Sequence, residues 1–374
     1  LVGCGGMGAH QARLLAASHD FELTAVCDVV PANAEKVATA HGVKPYADYR
    51  AMLAAEKPEV VVICTANDTH APMTIEAARA GARGVYCEKP MAMDMAGARA
   101  MVQACHECGA VLVVNHQRRL GPDLAHMRRM IESGALGEIR LIRAQCQGDI
   151  LSDGTHAIDS VQWMTGDRPV RWILGQIHRD IEALSKRAKE SKRPPAQPGF
   201  RYGHPVETGG MAVLQIDGGP RVELFFGDMV EERLHYQTWE VLGSRGRLLR
   251  TGDSARPNLF ISDAEGGGWR AGRDDWAYKP VPMKNDGAEG GGRGEWRPVA
   301  FPPDDGINLI AKSYALFARS IRAGAPHPMS GEVALRGFEV VMGIYESARL
   351  RRKIALPLQQ DRFPLQLMLD SGQL

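Results

Sequence analysis

The feature that most constrains this chain is its first turn. Gly3-Cys4-Gly5-Gly6-Met7-Gly8 follows the apolar pair Leu1-Val2 and opens a helical stretch; the next apolar run ends in Asp28, twenty residues after Gly8. G-x-G-x-x-G alone is a weak signal, because glycine-rich turns are common. Strand, glycine turn, helix, second strand and terminal acid together make the dinucleotide-binding fingerprint. Gly3 permits the tight turn, Gly5 lets the backbone approach a pyrophosphate, and Gly8 lets helix and strand pack closely, with Gly6 and Met7 completing the loop. The helix start offers unpaired N–H groups and the positive end of its dipole to phosphate. Asp28 can accept hydrogen bonds from both adenosine ribose hydroxyls and repels a 2′-phosphate. Val29 and Val30 follow it, with no Arg to neutralise such a group, so the pattern favours NAD over NADP.

Beyond this turn, strand and helix patterns alternate. Leu23–Asp28, Val60–Thr65, Val85–Cys87 and Val111–Val114 are short Val/Ile-rich runs without polar alternation, as strands covered on both faces require. Helical stretches lie between them: Gly8–Ser18, Pro31–His41, Ala71–Ala80 and Met95–Cys108, the last two stopping at Gly81 and Gly109. This alternation predicts a parallel sheet with helices on both faces over residues 1–118. Glu88-Lys89-Pro90 then falls at a strand's carboxyl end, where such sheets bind their ligands. Lys89 there either polarises an oxygen that changes oxidation state or is a surface residue in a turn before proline.

After residue 118 the texture changes. A helical pattern at Asp123–Ser133 leads into Glu138–Gln147 and then into a helical Thr155–Met164, followed by β-type runs at Val170–Ile177, Met211–Ile216, Arg221–Phe226, Thr238–Leu242 and Arg247–Arg250. Asp217-Gly218-Gly219 reads as a hairpin turn. Helices over Ile307–Ala323 and Glu332–Arg349 precede a last strand signal at Ile354–Leu358. Residues 119–374 therefore read as an α+β domain with a large, mostly antiparallel open sheet. Ser185–Pro198 and Gly266–Gly294 read as long surface loops or insertions.

Composition closes off several function classes. A length of 374 residues calls for two domains, and 44 % hydrophobic with 24 % charged residues describes a globular chain. Lys+Arg (45) and Asp+Glu (44) nearly cancel, so no global field recruits nucleic acid or a membrane surface. The basic clusters at Lys186–Lys192 and Arg349–Lys353 read as solvated helix faces. The seven cysteines follow no disulfide framework, and Cys105-His106-Glu107-Cys108 has no second pair to complete a zinc site. No metal is expected, and a reducing, cytoplasmic setting is. No apolar run of about eighteen residues is present to span a membrane. The chain starts at Leu1, without Met and already inside a strand, so the true N-terminus is expected to lie further upstream and an export signal there stays open.

The motifs stand in an order that resembles the glucose–fructose oxidoreductase and inositol dehydrogenase (Gfo/Idh/MocA) family. They are Gly3–Gly8, Asp28, Thr65-Ala66-Asn67-Asp68-Thr69-His70, Glu88-Lys89-Pro90, Asp153-Gly154-Thr155-His156-Ala157-Ile158-Asp159, and the tail Tyr345–Leu358. The resemblance implies that Lys89 and His156 flank the reacting carbon, with His156 as general base in alcohol oxidation and acid in the reverse direction. It implies that Thr65, Asn67, His70 and Glu88 line the nicotinamide half of the cofactor site. Gln117 and Arg118, followed by Arg119, match a glutamine–arginine segment that enters the second domain beside substrate. The family commonly has an Asp four residues before the His; here that position is Ser152, and Asp153 stands three before. Three- and four-residue offsets share a helix face, so Asp153 either supports His156 or caps the helix. Asp159 matches a second family Asp, which binds a substrate hydroxyl or is a solvated helix residue. His116 stands where an aromatic residue is usual, and either enters the pocket or packs beside it.

Three functions compete on this reading. The first is an NAD-dependent dehydrogenase of sugars, inositols or related polyols. The second is a glycoside hydrolase that uses tightly held NAD for transient oxidation and elimination, and the third a ligand sensor without chemistry. Retention of Glu88-Lys89-Pro90 and His156 argues against the sensor. The resemblance also implies a homodimer or homotetramer, joined through the face that Met211–Ile216 and Arg221–Phe226 expose with Leu, Val and Phe side chains.

Overall fold

The computed structural model describes residues 1–190, 197–230, 236–252, 257–263, 296–301 and 306–374. Its first sheet is assembled around Val2, which bridges Cys27 on one side and Ile63 on the other, both in parallel. Lys44–Tyr46 extends the sheet beyond Ala25–Cys27, and Gly84–Cys87 and Val111–Val114 extend it beyond Val60–Ile63, all parallel. Apart from Lys44–Tyr46, these strands are buried on both faces, which is why they read as continuous apolar runs. Helices Gly6–Ala16, Pro31–His41, His70–Arg79 and Met95–Cys108 connect them. Asp94 caps the last of these by accepting from the Gly97 N–H, and Gly109 closes it in the left-handed conformation at φ 68°. Lys44–Tyr46 and the helix Tyr49–Glu56 escaped the sequence pattern. The strand is three residues long, contains Pro45 and is largely exposed, so it carries no hydrophobic period.

The second sheet has nine strands, in the order Arg297–Pro298, Leu259–Asp263, Gly246–Arg250, Gln237–Gly243, Ile139–Cys146, Arg221–Gly227, Gly209–Ile216, Val170–His178 and Ile354–Ala355. All neighbours are antiparallel except Ile139–Cys146 with Arg221–Gly227. Gly218, at φ 60°, sits in the turn between Gly209–Ile216 and Arg221–Gly227, as expected. Thr155–Met164 and Gly331–Leu350 cover one face, their apolar residues joining Ile142, Ala144, Ile173, Leu214 and Leu224 in one core. Gly331–Leu350 also packs on Met95–Cys108, so this core runs through to the first sheet.

Two expectations need correction. A helix from the far end of the chain, Leu309–Ala323, buries Ile310, Tyr314 and Phe317 against Leu1, Cys4, Leu15 and Tyr86, so the second half of the chain helps cover the first sheet. Ser185–Pro198 is not all loop, because Ile181–Glu190 is helical and Asp180 accepts from the Glu182 and Ala183 N–H groups. Its Lys/Arg-rich face concealed a helix start capped by Asp. Residues 191–196 and the whole Gly266–Gly294 insertion lie outside the described residues.

Candidate active site

Every motif of the first half sits at the carboxyl edge of the parallel sheet. Gly3 takes φ 89°, and a Cβ there would lie 2.4 Å from the Cys64 carbonyl oxygen. A Cβ on Gly8 would lie 1.8 Å from the Gly3 carbonyl oxygen, whereas Gly5 and Gly6 have open space where theirs would go. Two glycines thus let the turn close on itself, and two leave an exposed cradle at the start of Gly6–Ala16. No side chain caps that start, which leaves its N–H groups facing outward. Asp28 is tied to this turn: its Oδ2 accepts from the Cys4 N–H at 2.7 Å and its Oδ1 from the Val30 N–H at 2.8 Å. The cradle fits a dinucleotide pyrophosphate, with Asp28 beside it for ribose hydroxyls.

Behind the cradle lies a buried polar chain. Glu88 accepts from the Gln11 side chain, from Asn115 Nδ2 at 2.8 Å and from the Lys89 N–H at 3.3 Å. Tyr86 donates to Asn115 at 2.8 Å, and Tyr314 donates to Gln11. Burial pushes the Glu88 carboxyl up, against the pull of Asn115 and Lys89. His70 is fully buried, its Nδ1 2.7 Å from the Pro90 carbonyl and its Nε2 3.3 Å from that of Thr65. Glu88 and His70 therefore do not line the open face with their side chains. They fix the two loops that carry Thr65 and Lys89. Thr65 accepts from the Thr69 hydroxyl at 2.6 Å, and Asn67 is buried with Nδ2 3.4 Å from Ser152 Oγ.

The Lys89 ammonium donates to the Ser152 carbonyl at 2.8 Å, which joins the two halves of the chain. His156, near the start of the helix Thr155–Met164, is buried, and neither of its ring nitrogens has a hydrogen-bond partner among the described residues. Burial, then the charges of Lys89 and Arg118 and the His116 ring, hold its pKa well below the ordinary 6.5. His116 enters this cluster. Its ring stands edge-on to His156 with centroids 5.6 Å apart, and its Nε2 lies 3.0 Å from Thr155 Oγ1.

Asp153 performs neither of its expected roles. Its Oδ1 accepts from the Tyr236 hydroxyl at 2.6 Å and its Oδ2 from Arg201. The cap is Asp149, whose Oδ1 accepts from the Ser152 N–H at 2.6 Å. The physical reason is that Ile150–Gly154 winds as a π-helix. Its wider turn breaks the α-helical offset that would have set Asp153 and His156 on one face. Asp159 is not solvated: Oδ2 accepts from Arg119 Nε at 2.7 Å, and Oδ1 lies 3.8 Å from His116 Nδ1. Arg119 is itself buried and also donates to Asp167 at 2.8 Å and 3.0 Å. Gln117 opens the short helical turn Gln117–Leu120, and the Arg118 guanidinium lies 5.5 Å from the Tyr236 ring centroid.

Four contributors carried no sequence signal: Arg201, His204, Glu207 and Tyr236. Arg201 also binds Asp149 at 2.8 Å, and His204 Nε2 lies 2.9 Å from Ser152 Oγ. Glu207 accepts from the Ile150 N–H at 2.6 Å and the Tyr345 hydroxyl at 2.7 Å, and burial raises it to about 7. Among the described residues no group of three or more His, Cys, Asp or Glu is arranged to hold a metal ion.

Comparison with known proteins decides the family. Residues 1–116 match the oxidoreductase family with an NAD-binding Rossmann fold, and residues 124–249 match the GFO/IDH/MocA C-terminal domain. The chain belongs to the Gfo/Idh/MocA family. Among its relatives, inositol 2-dehydrogenase of Rhizobium meliloti (strain 1021) is 33 % identical over 46 % of this chain and 55 % of its own length. D-glucoside 3-dehydrogenase of Escherichia coli (strain K12) is 31 % identical over 44 % of this chain and 52 % of its own length. The chain thus spans about half the length of these curated relatives. Among solved structures, the WlbA dehydrogenase from Bordetella pertussis, in complex with NADH and UDP-GlcNAcA, shares the fold with a TM-score of 0.69. That match has 22 % identity and covers 96 % of this chain and 98 % of that one. Aldose–aldose oxidoreductase from Caulobacter crescentus gives a TM-score of 0.72 at 19 % identity, covering 95 % and 98 %. As in the rest of the Gfo/Idh/MocA family, the first domain is an NAD-binding Rossmann fold.

Proposed function

We propose that this chain exchanges a hydride between NAD and a sugar, inositol or related polyol, interconverting a hydroxyl and a carbonyl. Bound NAD supplies the hydride acceptor, and the glycine cradle and Asp28 would hold it, with Thr65 and Asn67 on the loop beside it. The observation that carries the reading is the pairing of Lys89 with a buried, unpartnered His156 at the sheet's carboxyl edge. Oxidising a carbinol requires its hydroxyl proton to leave as the carbonyl forms. A histidine held neutral by burial and neighbouring cations is ready to accept that proton. An ammonium has three donors, and Lys89 spends one on Ser152. The others can hold the reacting oxygen and stabilise its negative charge. Gln117 and Arg118 are assigned to substrate hydroxyls on the family resemblance, with the nucleotide half taken to end near residue 118. Asp159 is assigned to hold Arg119 and His116 instead.

The test is a panel of free sugars, inositols and glycosides with NAD, scored for both NADH fluorescence and bond cleavage. Lys89→Met and His156→Asn should each lower turnover by roughly two to four orders of magnitude while leaving NAD affinity intact. A folded His156→Asn protein that turns over at the wild-type rate would remove His156 from the mechanism. Bond cleavage without NADH accumulation would replace net oxidation by transient oxidation and elimination.

We also infer that the chain assembles with copies of itself through the uncovered face of the nine-stranded sheet. Trp172, Leu174, Met211, Val213 and Phe225 lie on that face in part exposed, and association would take this apolar surface out of water. Val213 and Phe225 fit the sequence expectation. Leu214 and Leu224 do not, because strand alternation turns both inward.

A further inference from the structure

Ser152 is the pivot of the site, and two of the residues that hold it, Asp149 and His204, lie outside every motif in the sequence. Its N–H donates to Asp149, its carbonyl receives the Lys89 ammonium, and its hydroxyl meets both Asn67 and His204. His204 sits in the two-stranded hairpin formed by Phe200–Arg201 and His204–Pro205. Its Nδ1 lies 2.9 Å from the Pro205 carbonyl. A carbonyl only accepts, so Nδ1 carries the proton, and Nε2 is left as the acceptor for the Ser152 hydroxyl at 2.9 Å. Both residues are buried, so water does not substitute for either partner.

The hairpin is itself clamped at both ends. Arg201 binds Asp149 and Asp153 on the π-helical turn, and Gly203 packs so close to Asp68 that a Cβ would come within 3.1 Å of its Oδ1. The hairpin therefore reaches from the substrate half to the loop that carries Thr65 and Asn67, and delivers one imidazole between them.

We propose that His204 is a positioning residue: acting through Ser152, it fixes the carbonyl that aims the Lys89 ammonium at the reacting oxygen. This rests on the dehydrogenase reading for its consequence, though not for its geometry. Removing the acceptor releases the Ser152 hydroxyl, loosens its peptide and lets Lys89 wander. The effect falls on the chemical step, because among the described residues the hydrogen bonds of His204 go to Ser152 and the Pro205 carbonyl and not to the glycine cradle.

The test combines His204→Ala, His204→Gln, Ser152→Ala and the His204→Ala/Ser152→Ala pair in the full chain, with folding checked by circular dichroism. His204→Ala should lower kcat roughly ten-fold, the worth of one buried hydrogen bond, while NAD affinity stays constant. His204→Gln can present its amide oxygen near the place of Nε2 and should recover most of that loss. The double variant should be no slower than the slower single one, since both cut the same link. Additive losses, an unrescued but folded His204→Gln, or an unchanged kcat in His204→Ala would each overturn the proposal. A second readout needs no substrate. Trinitrobenzenesulfonate modification of Lys89, followed by mass spectrometry, should be faster in His204→Ala than in wild type or His204→Gln. Faster labelling in a protein that oxidises nothing on the panel would keep the positioning role and sink the dehydrogenase reading. Turnover with identical labelling rates would do the reverse.

Discussion

Lowering the pH should make this protein take up protons as it unfolds, and the sign follows from its buried groups. His70, His116, His156, His204 and His327 are buried, and burial is the leading cause that lowers each below the ordinary 6.5, His327 to about 4. Burial favours the neutral form of each when folded, and release lets it charge more readily. The folded state therefore binds fewer protons, and its stability rises with pH. That contribution is complete above the unfolded value of 6.5 and is lost as pH falls through it toward the folded values. Glu88 and Glu207 act in the opposite sense. Burial raises both, Glu207 to about 7, so the folded chain holds protons that unfolding releases above the ordinary 4.5. Below 6.5 the five imidazoles gain protons on unfolding while the two carboxyls lose them, and the larger set of imidazoles makes the balance an uptake. Each proton taken up lowers stability by about 1.4 kcal/mol per pH unit. Urea unfolding in weakly buffered solution, titrated back to constant pH, counts the protons directly. His327→Gln should reduce the count by about one. No uptake, or net release, would refute the reasoning.

Three further outcomes are expected. Gly8→Ala would place a Cβ 1.8 Å from a backbone carbonyl, so the turn must open at a cost near the upper end of overpacking, about 3 kcal/mol; calorimetry should find NAD binding lost, and tight binding would refute the cradle. Asp28→Ala should narrow the preference for NAD over NADP by about 1–3 kcal/mol. It should also loosen the glycine turn through the lost Cys4 bond, and equal discrimination in wild type and variant would remove Asp28 from cofactor choice. Arg119→Met leaves Asp159 and Asp167 without their shared cation and should destabilise the fold by about 3–5 kcal/mol, measured by denaturant titration; a stability equal to wild type would show that the buried pair is dispensable.

The sequence by itself determined what short-range chemistry can encode. A glycine that must lie close to backbone, such as Gly3 or Gly8, leaves its mark in residue type. The acid at the end of the second strand stands at a fixed distance from it. The helix Thr155–Met164 and the strand Val111–Val114 were legible to the residue, and both are buried along almost their whole length. Lys89 and His156 were named by motif, and the fold brings them close enough for one to depress the other's pKa.

Tertiary structure decided who holds whom. Support of His156 by Asp153 needed an α-helical offset; the π-helical turn instead leaves Asp153 with Arg201 and Tyr236, far along the chain. Ser152 and His204 are 52 residues apart and Arg119 and Asp159 are 40 apart, and no local period links either pair. The helix Leu309–Ala323 returns to cover the first sheet because its apolar stripe fits there, a choice its own pattern does not encode. Periodicity reports which face of an element is buried. The partner across that face is set by sheet register and chain return, which exist only once the whole chain has packed.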